Sequence, residues 1–273
     1  MRLLAIALLA ALALAQEAPF DLLITGGRIV DGSGNAWYRA DLGIRAGRIA
    51  AIGALRGKPA KRTVDARNHI VAPGFIDMMG ANSEPLLEDR ASAESKLRQG
   101  ITTMLGGEGG STAPSKKWPT FDAYFRAVEA KGIPINTIHN VGAAQVRRQV
   151  IGDENRAPTE AELTRMRGHV EQAMKDGVVG LSTALIYPPG TYATTAELVE
   201  MAKVAGRYGG IYLTHMRNES HAVLEAITES IRIGRESGVP VHIFHLKAAG
   251  QDNWPRMQRA VDKIGRASCR ERV

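Results

Sequence analysis

Two short apolar runs, each ending in a histidine, constrain this chain more than any other feature. They read Gly210-Ile-Tyr-Leu-Thr-His215-Met-Arg217 and Val239-Pro-Val-His-Ile-Phe-His245-Leu-Lys247. Each is rich in β-branched or aromatic residues and follows a helical pattern closed by a Gly or Pro break, the grammar of a parallel β/α protein. The C-terminal ends of such strands open onto one face, where these folds build their sites. Imidazole is also a common nitrogen ligand for zinc. A metal-dependent hydrolase is the expectation these two strand ends raise.

The grammar extends along the chain. From Asp21 to Val71 short strand-like runs alternate with glycine turns such as Gly26-Gly27 and Asp31-Gly-Ser-Gly34, which predicts a small β-sandwich. From Ala72-Pro73-Gly74 onward strands alternate with helices. The strands are expected at 74–79, 101–106, 135–141, 178–185, 211–216 and 241–246. Thr159 with Glu162, and Thr194 with Glu197, predict capping boxes for the helices that follow. Six βα units are visible and a closed barrel needs about eight, so the chain is expected to be truncated. The predicted fold class is therefore α/β: a (β/α)8 barrel cut after about six strands, with a small N-terminal β-sandwich. The expected divisions are a signal peptide at 1–15, the sandwich at 16–72, the barrel at 73–264 and a non-native tail at 265–273. That tail, Gly265-Arg-Ala-Ser-Cys-Arg-Glu-Arg-Val273, breaks the preceding amphipathic pattern.

Composition narrows the functions. The formal charge is +7 over 273 residues, but Arg2 contributes one unit and residues 265–273 two, leaving +4. The remaining cations are scattered among acids, without a basic block interleaved with aromatics, so nucleic-acid binding is not expected. Residues Met1–Ala15 have one positive charge, an apolar centre and small residues at their end. They read as a secretory signal cleaved before Gln16, which predicts export to the periplasm or outside the cell, with no membrane anchor after cleavage. The sole cysteine, Cys269, lies in the tail, which excludes a disulfide framework and a cysteine zinc site.

Strand alternation puts Val241, Ile243, His245 and Lys247 on one face, and His215 on the same face as Arg217. Either histidine alone reads as a hydrogen-bonded core residue; two at successive strand ends point to a site. Glu108, in Leu105-Gly-Gly-Glu108-Gly-Gly-Ser111, lies just past the second strand. It completes a candidate His₂Glu zinc set, against the alternative of an exposed glycine-rich loop. Tyr187, stiffened by the two prolines that follow, is a candidate substrate contact. His242 is expected under a helix, and His69, His139, His169 and His221 in turns or on the surface.

Phe20–Gly34 with Val71-Ala-Pro-Gly-Phe-Ile-Asp77 resembles the entry of the amidohydrolase superfamily. Gly100-Ile-Thr-Thr103, Gly180–Gly190, Thr214-His-Met-Arg-Asn-Glu219 and His245-Leu-Lys-Ala-Ala-Gly250 resemble its D-aminoacylase branch, the N-acyl-D-amino-acid deacylases. The resemblance covers nearly all of residues 20–264. It implies a metal-dependent barrel that hydrolyses a small-molecule N-acyl amino acid, with His215 and His245 as metal ligands and Lys247 and Tyr187 holding the substrate carboxylate. The chain also departs from that pattern. Asp77-Met-Met79-Gly-Ala81 stands where the superfamily has Asp-x-His-x-His, and the branch's metal-binding cysteine falls at Gly109, beside Glu108. The fourth strand has no lysine to bridge two metals. One Zn²⁺ held by His215, His245 and Glu108 is therefore expected. The catalytic residues are not identified: the branch's general-base aspartate would lie beyond this chain, which alone is expected to be inactive. The alternatives are another amidohydrolase, such as a dipeptidase or cyclic-amide hydrolase, and a non-catalytic binding protein that kept the fold.

Overall fold

The computed structural model describes residues 18–80 and 84–270. The expected leader at 1–15 lies outside the described residues. The chain divides into two compact units, one up to Gly74 and one from Phe75 onward.

In the first unit five strands form one mixed sheet: β1 (Leu22–Ile29), β2 (Tyr38–Arg45), β3 (Arg48–Gly53), β4 (Thr63–Asp65) and β5 (Ile70–Val71). The order is β3-β2-β1-β4, and β5 also pairs with β1. Among the described residues the expected partial sandwich is represented by this one sheet. The two runs read on either side of Gly26-Gly27 are one strand. Its register shifts between Ile24 and Gly27, and Gly26 takes a left-handed φ of 73°. Asp41 pins this bulge: one carboxylate oxygen accepts from Gly26 N at 2.7 Å and the other from Leu55 N at 2.9 Å.

The second unit is a parallel β/α array. Its strands are β6 (Phe75–Asp77), β7 (Ile101–Gly106), β8 (Asn136–His139), β9 (Val141–Gly142), β10 (Gly180–Ala184), β11 (Ile211–His215) and β12 (Val241–Ile243). β6-β7-β8 form one sheet and β9-β10-β11-β12 another, all with parallel pairing. The run expected as one strand at 135–141 is interrupted at Asn140. Its first half pairs back to β7 and its second half forward to β10. The longer helices are α1 (Phe121–Lys131), α2 (Ala143–Val150), α3 (Glu160–Lys175), α4 (Thr195–Arg207), α5 (Val223–Ser237) and α6 (Arg256–Arg270). Helix α6 continues through Gly265, where the sequence pattern breaks. Among the described residues no helix is long and apolar enough to cross a membrane.

The helix caps follow local chemistry. Thr159 and Glu162 close a reciprocal capping box on α3, with Glu162 Oε2 2.8 Å from Thr159 N. On α4 only half of the expected box forms. Thr194 Oγ1 accepts from Glu197 N at 3.2 Å, but the Glu197 carboxylate turns inward to Arg147. The inner faces of α3 and α4 bury Met166, Val170, Leu198, Met201 and Val204 against Leu181 and Tyr212 of the sheet. Burial of each large aliphatic side chain stabilises the unit by roughly 1.5–3 kcal/mol.

Candidate metal centre

Three elements bring Glu108, His215 and His245 together. Glu108 follows β7 in a turn flanked by Gly107 (φ 92°) and Gly109 (φ 70°). A Cβ on Gly109 would stand 2.4 Å from Ala184 Cβ and 2.5 Å from Ala184 N, so the turn lies directly against β10. The buried Ser182 hydroxyl accepts from Gly109 N at 3.2 Å and donates to the Gly107 carbonyl, clamping the turn on both sides of Glu108. His215 is the last residue of β11. His245 lies two residues past β12 in a left-handed conformation (φ 35°).

Glu108 Oε1 lies 3.1 Å from His215 Nδ1 and 3.2 Å from His245 Nε2, and the two nitrogens are 3.1 Å apart. The imidazoles meet edge to face, with ring centroids 4.5 Å apart. Three lone-pair atoms in one tight triangle repel unless a proton or cation lies between them. Zinc bonds of about 2.0–2.2 Å in tetrahedral geometry separate neighbouring ligand atoms by about 3.3–3.6 Å. The triangle is within a few tenths of an ångström of that spacing, so these residues fit a zinc ion. Among the described residues no other group of three or more acidic, histidine or cysteine side chains is close enough to hold an ion.

The other predicted residues surround this triangle. The Tyr187 ring meets His215 edge to face at 5.4 Å between centroids and is 59% exposed, as a lining residue must be. Lys247 comes beside His245, but not through strand alternation, because β12 ends at Ile243 and the chain turns at His245. Its ammonium lies 2.8 Å from His245 Nδ1 and 2.6 Å from Glu219 Oε2. Arg217 does not share the His215 site. It donates to the carbonyls of Thr191 and Ala193 at 2.9 and 2.8 Å and pairs with Glu229, which ties the loop after β10 to α5. Asp77 pairs with Lys96, whose hydrogen bond lowers the Asp77 pKa. Met78 and Met79 stand half-exposed beside it. Next to Glu108 a cavity of about 320 Å³ is lined by Glu84, Ser111, Thr112 and Gln145.

Two residues correct the sequence-based expectation. Glu219 is buried and faces both histidines; a carboxylate four residues after a ligand histidine, inside the motif Thr214–Glu219, was the available signal. His139, expected in a turn or on the surface, is 1% exposed under Phe121, Tyr124 and Phe125. Burial lowers its pKa to about 4.

A carboxylate and two imidazoles just past the C-terminal ends of parallel strands form the donor set of an open-position metal site. No family model matches the chain. It is 39% identical over 276 residues to the D-aminoacylase of Alcaligenes xylosoxydans xylosoxydans, covering 94% of this chain and 57% of that protein. The crystal structure of N-acyl-D-glutamate deacylase from Bordetella bronchiseptica, complexed with zinc and a phosphonate mimic of the tetrahedral intermediate, superposes with TM-score 0.88 at 36% identity. The match covers 93% of this chain and 57% of that one. A D-aminoacylase structure described by its binuclear metal centre, with one-metal activation and second-metal attenuation, has TM-score 0.88 at 33% identity over 92% of this chain and 56% of that one. The chain is a homologue of the D-aminoacylases and N-acyl-D-amino-acid deacylases, which are amidohydrolases. It spans a little over half the length of these relatives.

Proposed function

We propose that the protein hydrolyses the amide bond of N-acyl-D-amino acids, using one zinc ion held by Glu108, His215 and His245. The observation that carries this is the triangle of three ligand atoms 3.1–3.2 Å apart. Glu108 takes the place of the branch's cysteine because Gly109, pressed against Ala184, has no room for a side chain. Met79 offers no imidazole, and β10 has no lysine, which supports one ion over two.

A zinc ion held by Glu108, His215 and His245 would supply Lewis acidity to the scissile carbonyl and would lower the pKa of a water toward neutrality. The chain's own groups bind and orient. The Lys247 ammonium, half-exposed beside the triangle, donates to the substrate carboxylate in a charge-assisted hydrogen bond, and the Tyr187 hydroxyl donates a neutral one. Lys247 must first leave Glu219, its partner at 2.6 Å. The cavity beside Glu108, lined by Glu84, Ser111, Thr112 and Gln145, gives the acyl group or amino-acid side chain a recess. The leader-like residues 1–15 support export as the setting.

The test is calorimetric titration of the zinc-loaded chain with a phosphonate analogue of an N-acyl-D-amino acid and with its L enantiomer. Zinc-dependent binding that favours the D form is expected. Binding that ignores zinc, or that is equal for both enantiomers, overturns the proposal.

A further inference from the structure

We infer that Glu219 is the positioning carboxylate for both histidines, fixing which ring nitrogen of each faces the metal. This rests on the metal reading above. The Glu219 side chain is 8% exposed. Its Oε2 lies 3.5 Å from His215 Nε2, and its Oε1 lies 3.0 Å from His245 Nδ1. In each ring the nitrogen facing Glu219 is the one turned away from Glu108, which faces His215 Nδ1 and His245 Nε2. A carboxylate accepts and does not donate, so it can take the N–H of each ring, that of His245 once the Lys247 ammonium, which donates to His245 Nδ1 at 2.8 Å, has left. The lone pairs are then left on the two nitrogens of the triangle.

The backbone supports this placement. The Glu219 carbonyl accepts from Ala249 N at 2.6 Å, which ties the loop after β11 to the loop after His245. Asn218 Oδ1 accepts from Ser220 N and Ala222 N at 2.9 and 3.0 Å and so fixes the turn into α5. The carboxylate is thereby held between two strand ends that share no backbone pairing at this level.

Lys247 competes for the same group. Its ammonium lies 2.6 Å from Glu219 Oε2 and 2.8 Å from His245 Nδ1. The buried His215 Nε2 and Glu219 Oε1 meanwhile make no hydrogen bond. A substrate carboxylate that recruits Lys247 releases Oε2 to the His215 N–H. Substrate capture and histidine orientation therefore act through one side chain.

The experiment compares the unaltered protein with Glu219→Gln, which keeps the shape but can donate from its amide nitrogen. Zinc affinity is measured by competition with a chromophoric chelator, and histidine tautomers by long-range ¹⁵N correlation spectra. A 10–100-fold loss of zinc affinity is expected, the scale for a lost partner of a ligand histidine. In the zinc-free Lys247→Ala protein, where nothing donates to His245 Nδ1, His215 should be protonated at Nε2 and His245 at Nδ1, and adding Glu219→Gln should give a mixture. Lys247→Ala alone should bind zinc at least as tightly as the unaltered protein, because both Glu219 oxygens are then free for the histidines. Should Glu219→Gln not fold, Glu219→Asp withdraws the carboxylate while keeping its charge and should also weaken zinc. Equal affinity and unchanged tautomers in a folded Glu219 variant overturn the inference. Failure of the unaltered protein to bind zinc removes the metal reading itself, and is distinguishable because it needs no variant.

Discussion

Gly109→Ala isolates the role of the turn that presents Glu108. Gly109 has φ 70°, and its added Cβ would stand 2.4 Å from Ala184 Cβ and 2.5 Å from Ala184 N. A left-handed conformation costs a residue with a Cβ about 1–2 kcal/mol. The contact adds about 1–3 kcal/mol, because Ala184 N belongs to a paired strand and cannot retreat without disturbing β10. The expected loss is about 2–5 kcal/mol, which lowers the Tm by roughly 5–20 °C for a unit spanning Phe75–Val273. Gly110 provides the control one residue away. It has no left-handed φ and open space around its Cβ position, so Gly110→Ala should change stability by less than about 0.5 kcal/mol. Thermal unfolding followed by circular dichroism reads both, and zinc affinity should fall with Gly109→Ala, since Glu108 must shift. Equal Tm and equal zinc affinity for the two variants would refute the argument that close backbone approach holds Glu108 in place.

Three further variants test the frame around the site. His139 has its pKa lowered to about 4 by burial, while the unfolded chain takes up its proton near pH 6.5. Its contribution is complete above pH 6.5 and lost as pH falls toward 4, a change of about 3 kcal/mol. Denaturant unfolding of His139→Gln should lack that part of the acid dependence, and identical pH slopes would contradict it. Arg147 Nη1 donates to both carboxylate oxygens of Glu197 at 2.9 Å, with each side chain 1% exposed. Glu197→Ala leaves a buried cation unpaired and should cost about 3–5 kcal/mol in urea unfolding, against much less for a paired Arg147→Met, Glu197→Leu variant. A loss below about 1 kcal/mol for the single variant would show that the cation finds other partners.

Strand and helix order was legible from the sequence because apolar runs, caps and glycine stops are local signals. The strand Ile101–Gly106 and the Thr159 capping box appear where their residues predict them. What failed depended on distant partners. Glu197 has the spacing of a capping glutamate, but Arg147, 50 positions away, claims its carboxylate. His139 sits at a strand end like His215, yet its ring lies beneath three aromatics of α1. Asn140 divides what reads as one strand because two neighbours, β7 and β10, pair with different halves of it. At the site, Glu108, His215, His245, Tyr187 and Lys247 were all named from strand-end position and resemblance. Glu219 was not, since its role depends on a loop that folds back between two histidines. Lys247 reached its place by a turn at His245 rather than by the pleat that predicted it.

The most direct test of the central claim is zinc content by plasma emission spectrometry after exhaustive dialysis, with affinity measured by chelator competition. One zinc per chain is expected, with affinity falling on the order of 100-fold or more in each of Glu108→Gln, His215→Gln and His245→Gln, since loss of even an outer partner costs 10–100-fold. Two zinc ions per chain, or one zinc held unchanged by Glu108→Gln, would contradict the three-residue site.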